Sequence, residues 1–175
     1  MEAINPNAAK HHFENGEMEG SWKGMKKRLE QDLLCSGLRG RVSYQLTKYT
    51  KYGSSGDCAS VSLDGCAVKK FGFMYAHARL EKAGLLAEGM HVWDVPMNER
   101  DDYELWEFAD ALKTFRNQPI ELSVQSGNPI IRMFAIVDRR VGKRTLMKLR
   151  DSVGDQPEWL RKLYTTRMNA EGIDP

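Results

Sequence analysis

From Ser21 onward, Trp22, Met25, Leu29 and Leu33 recur at intervals of three and four, the spacing of a single apolar stripe on an α-helix. Ser21 offers a hydroxyl to cap that helix, Lys23, Lys26, Lys27 and Arg28 largely take its other side, and Gly37 in "CSGLRG" reads as its stop. The period then falls to two. In "RVSYQLTKY", Val42, Tyr44 and Leu46 point one way and Ser43, Gln45 and Thr47 the other, which predicts a strand. "ASVSLDGCAVKKF" predicts a hairpin turning at Asp64-Gly65, a pair suited to the positive φ of a two-residue turn. With Leu63 opposite Cys66, the pleat places Val61, Leu63, Cys66 and Val68 on one face. Cys58, Ser60, Ser62, Ala67 and Lys69 fall on the other, and Cys58 stands opposite Phe71, a register that disfavours a Cys58–Cys66 disulfide.

After Gly72 the pattern is helical again. "FMYAHARLEKAGLLAEG" predicts one helix running to Gly89, weakened at its centre by Gly84. Val95-Pro96 makes "HVWDVPMNER" irregular. A helix follows with Leu105, Phe108, Leu112 and Phe115 as its stripe, and the acids at its start suit the positive end of the helix dipole. Pro119 and Pro129 each read as the first residue of a helix. "PIIRMFAIV" is almost wholly apolar and is expected to be the most buried element. Gly142 breaks the chain before a new turn or helix from Thr145 to Arg150. A last helix opens at Asp155 with Pro157 inside it, carries Trp159, Leu160, Leu163, Tyr164 and Met168, and closes at Gly172. The whole predicts an α+β fold: a small antiparallel β-meander of about three strands packed with helices, with a helical C-terminal half.

Composition narrows the class. At 175 residues, 41% hydrophobic and 29% charged, the chain suits one globular domain, expected over residues 21–175 behind a loose polar leader at 1–20. Neither a membrane span nor the apolar core of a signal peptide is visible, and three widely spaced cysteines read as reduced thiols. Both point to the cytoplasm. The net charge of +2 conceals an asymmetry: nine acids against three bases over 86–127, then ten bases against six acids over 128–175. Such a split signals either an anionic partner or two faces of opposite charge packed together.

The basic half concentrates in "DRRVGKRTLMKLR", and Arg139, Arg140, Lys143, Arg144 and Lys148 are the candidate anion-binding residues. Arginine forks hold phosphate oxygens bidentately. Tyr49, Lys51 and Tyr52 could add stacking and charge. The competing reading is structural, with Arg139 or Arg140 paired to Asp138 or to the acidic middle helix. A phosphate-loop reading of "VGKRT" fails, because Arg144 separates Lys143 from Thr145 and Val137 stands where the first glycine belongs. No cofactor and no metal site is expected. His11 and His12 lie in the leader, His77 falls at a core edge, and His91 beside Asp94 lacks metal-ligand spacing. Asp101-Asp102, Asp57 and Asp64 follow no recognisable catalytic pattern.

Four segments, "LLCSGLRGRVSYQLTKY", "VSLDG", "NPIIRMFAIVDRRVGKRTLMKL" and "PEWLRKLYTTRMNAEGI", resemble a family of small uncharacterised bacterial proteins from Trp22 onward. The resemblance implies a bacterial cytoplasmic protein of mobile-element origin and brings no activity with it. The residues themselves favour a non-enzymatic module whose basic loop engages an anion, with nucleic-acid phosphate the leading choice. Two alternatives stand beside it. One is an accessory protein that binds another protein through the same arginines or the Trp93/Trp106 region. The other is an enzyme acting on a phosphate-containing substrate.

Overall fold

A computed structural model describes residues 21–47 and 56–175. The leader and the Tyr49–Lys51–Tyr52 patch lie outside the described residues. Helix α1 (Trp22–Lys27) begins at Ser21, whose hydroxyl accepts from the Gly24 amide at 3.3 Å. It continues as a π-helical turn over Arg28–Leu33, with Leu34 N–H donating five residues back to the Leu29 carbonyl. Gly37 is not the stop. It lies in a 3₁₀ turn (Ser36–Leu38) pressed so close to the last helix that a Cβ there would stand 2.9 Å from the Ala170 Cβ. Close approach, rather than termination, is what requires glycine at this position.

Strands β1 (Val42–Thr47), β2 (Cys58–Leu63) and β3 (Cys66–Phe71) form an antiparallel sheet in the order β1-β2-β3. The expected turn is present, with φ of 51° at Asp64 and 80° at Gly65, and Leu63 pairs with Cys66. Beyond that pair the expected register fails. Ser62 pairs with Ala67 but Val61 with Lys69, so Val68 is an extra, bulged residue and Phe71 pairs with Ala59 instead of Cys58. The bulge rephases the rest of β3, so that Lys69 and Phe71 turn inward; Cys66, ahead of the bulge beside the turn, is exposed rather than inward as expected. All three cysteines are free.

Helix α2 (Phe73–Lys82) is shorter than its apolar pattern suggested. Gly84, at φ 70°, ends it by letting the Gly84 and Leu85 amides reach back to the Glu81 and Leu80 carbonyls. Two 3₁₀ turns (Val92–Asp94, Met97–Glu99) lead to α3 (Leu105–Asn117), where Glu104 and Glu107 cap reciprocally. Helix α4 (Ile120–Val124) takes Pro119 as its cap rather than its first residue. Helix α5 (Pro129–Val137) has Pro129 in its first turn and the Asn128 carboxamide capping Ile130. Next come α6 (Lys143–Lys148), starting two residues before the expected Thr145, and α7 (Arg150–Val153). The last helix, α8 (Glu158–Ala170), starts three residues after the expected Asp155, with Pro157 as its cap rather than inside it.

All nine residues of α5 are buried, because α3, α4 and α8 surround it. Phe134 lies within 5.3–5.6 Å, ring centre to ring centre, of Tyr44, Phe108 and Phe115, tying the sheet to the helices. Burial of one such ring contributes about 1.5–3 kcal/mol. The α+β architecture expected from the sequence, a three-stranded meander followed by a helical half, is therefore the one observed. Among the described residues no helix is long and apolar enough to cross a membrane.

Candidate anion-binding surface

The basic segment leaves the C-terminus of α5 at Asp138, which is 1% exposed. The backbone here is clamped to the end of the first helix. Asp138 bridges Leu34, the Cys35 amide donates to the Val137 carbonyl at 3.0 Å, and the Arg139 amide donates to Leu33 at 2.7 Å. From below, the fully buried Arg167 of α8 donates to the carbonyls of Asp138 (3.0 Å) and Val141 (2.9 Å) and pairs with Glu171 at 3.0 Å. A guanidinium suits this position because its fork satisfies several carbonyls that turn inward where α5 ends.

The five candidate cations divide into two sets. Asp138 takes Arg140 for itself: its carboxylate accepts from the Arg140 amide (2.8 Å), Nε (3.0 Å) and Nη2 (2.8 Å). The guanidinium also lies 5.7 Å from the Phe115 ring centre, and its hydrogen bonds to Asp138 raise its already high pKa. Lys143 Nζ donates to the Glu171 carbonyl at 2.7 Å, and farther along Arg150 donates to the Asp174 carbonyl. All five are exposed, but the side chains of Arg139, Arg144 and Lys148 form no hydrogen bond or ion pair among the described residues. The pairing anticipated between Asp138 and Arg140 is thus present. The acidic middle helix does not neutralise the segment: Glu107 pairs with Arg100, both side chains 3% exposed, and Asp110 faces solvent.

The other candidate groups have structural duties. Asp102 accepts from Lys69 (2.7 Å) and Arg79 (3.3 Å). That pair explains how β3 can turn Lys69 inward. His91 stacks on Trp93 at 4.3 Å while its amide donates to Asp94, and His77 lies tilted against Phe73 at 5.1 Å. Burial pushes the Cys35 and Cys58 thiols up, away from the reactive thiolate. Among the described residues no three His, Cys, Asp or Glu side chains are grouped to hold a metal. A cleft of about 510 Å³, lined in part by Arg79, Asn98, Asp101, Tyr103 and Gln156, includes none of the five candidate cations in its wall.

Arg167 is the residue that sequence reasoning missed. Its signal was a charge at position 167 within the stripe of Leu160, Leu163, Tyr164 and Met168, where a solvated arginine does not belong.

Fold and surface together define an α+β protein that presents unpaired cations from a loop clamped at its base (Arg139) and from the helix that follows it (Arg144, Lys148). The chain belongs to the SF0329 protein family, whose model matches residues 21–168, much the same reach as the resemblance in the sequence. That family name carries no activity. No match was found among curated proteins or among solved structures.

Proposed function

We propose that the protein is a non-enzymatic binding module that engages the phosphates of nucleic acid through Arg139, Arg144 and Lys148. The observation that carries this reading is the division of the basic segment. Arg140 and Lys143 have internal acceptors, while the other three cations are exposed without anions of their own among the described residues, Arg139 on the clamped loop and Arg144 and Lys148 on α6. A fixed backbone lowers the entropy lost when such side chains are ordered on a ligand. Three free thiols fit a reducing cytoplasm, where nucleic acid is available as a partner.

The test is fluorescence anisotropy with single-stranded DNA, duplex DNA and RNA at several salt concentrations. Each phosphate contact adds about −0.9 to the slope of log affinity against log salt on duplex and about −0.7 on a single strand. Three contacts give a duplex slope of roughly −2.7, and Arg139→Ala/Arg144→Ala reduces it to roughly −0.9. Absence of binding to all three at low salt refutes the reading and directs the search to an acidic protein partner. An enzymatic reading would need a carboxylate or His91 beside the loop, and His91 is engaged with Trp93 and Asp94 instead.

A further inference from the structure

Arg132, in the second turn of α5, is only 7% exposed, yet its guanidinium meets no carboxylate among the described residues. Its one side-chain partner is Ser152 of α7, whose hydroxyl accepts from Nη2 at 2.9 Å and donates to the Leu149 carbonyl at 3.0 Å. Among the described residues Nε is buried without a partner, whereas Nη1 has no acceptor and is not closed off from solvent. Burial lowers the pKa of this arginine, and no described acid opposes it. Asp151 and Asp155 flank Ser152 in sequence, but both face solvent.

The other buried arginines are treated differently. Arg100 has Glu107, and Arg167 has Glu171 and two close carbonyls. A buried cation without a counter-charge is unfavourable, and a protein relieves it by supplying an anion or accepting one. Lys148 stands one helical turn before Ser152, across a junction at Leu149 that keeps helical angles, and it is exposed. It adds a second positive charge near the open edge.

We propose that Arg132 and Ser152 form a site for a single oxyanion, a carboxylate or a phosphate, seated against Nη1 between α5 and α7. Ser152, whose hydroxyl donates its hydrogen bond to the Leu149 carbonyl, accepts from Nη2 and so fixes the guanidinium plane, leaving Nη1 to present its hydrogens outward. The site does not depend on Arg139 or Arg144, and it holds whether or not the protein binds nucleic acid.

The experiment is thermal unfolding of the Arg139→Ala/Arg144→Ala protein in sodium phosphate, sodium acetate and sodium chloride at matched ionic strength. At tenfold the dissociation constant a bound anion raises the midpoint by roughly 3–5 °C over chloride. A rise in phosphate alone, in acetate alone or in both supports the site and says which oxyanion it prefers. Arg132→Met on this background abolishes the rise, and Ser152→Ala, an exposed position where folding is undisturbed, reduces it. No rise in either salt overturns the proposal. So does a rise that survives Arg132→Met, or one that survives Ser152→Ala undiminished should Arg132→Met not fold.

Discussion

Replacing Arg167 by methionine tests whether the base of the basic loop is held as described. Methionine keeps most of the stem's volume and removes the guanidinium. Hydrogen bonds from a charged donor contribute about 1.5–3 kcal/mol each, so the bonds to Asp138 and Val141 represent about 3–6 kcal/mol in gross terms. Two features lower that figure. The Asp138 carbonyl also accepts from the Val141 amide at 3.1 Å and stays satisfied, and loss of the buried charge removes its desolvation penalty. Glu171, with a side chain 24% exposed, is solvated once its partner is gone. The net loss is about 2–4 kcal/mol, a fall in midpoint of roughly 5–15 °C for a chain of this size. Urea denaturation followed by circular dichroism measures it. A loss below about 1 kcal/mol would mean that α8 does not anchor the loop, and the reasoning from its carbonyls would be wrong.

Three further outcomes follow from packing and burial. In the native protein a thiol reagent modifies Cys66 rapidly, while Cys35 and Cys58 wait for unfolding; fast modification of more than one thiol would contradict their burial. Gly37→Ala costs about 1–3 kcal/mol in urea denaturation, because the new methyl meets the Ala170 Cβ at 2.9 Å and its carbonyl oxygen at 3.2 Å, and a backbone atom cannot swing aside; an unchanged midpoint would show that the turn yields freely. Burial holds the Glu104 carboxyl above the ordinary glutamate range, so the folded state binds its proton more tightly than the unfolded chain does. The contribution of Glu104 to stability is greatest below the ordinary glutamate pKa and falls as pH rises through the raised folded value. Glu104→Gln, which keeps an acceptor for Trp106, flattens that part of the stability–pH curve; an unchanged curve would refute the assignment.

Much of the fold was legible where one residue type answers a local demand. Ser21 caps α1, Asp64-Gly65 supplies the positive φ of the hairpin, Pro129 opens α5, and the unbroken apolar run of α5 marks the centre of the core. What escaped depends on distant partners. The bulge at Val68 brings Lys69 to Asp102, thirty-three positions away, and alternation along β3 has no means of announcing it. Gly84 can weaken a helix or end one, and only the reach of Leu85 back to Leu80 distinguishes the two. The candidate surface was legible as a density of charge. Its division was not, since Lys143 is engaged by a carbonyl at Glu171, a group that every residue possesses and no sequence pattern marks.

The most direct test of the central claim compares two double variants in duplex binding across a salt series, each checked for folding by circular dichroism. Arg139→Ala/Arg144→Ala removes free cations; Arg140→Ala/Lys143→Ala removes cations already engaged within the protein. The division predicts that the first pair flattens the slope of log affinity against log salt by about 1.8, while the second leaves it unchanged. Equal flattening by both pairs, or a larger effect from the second, would contradict it.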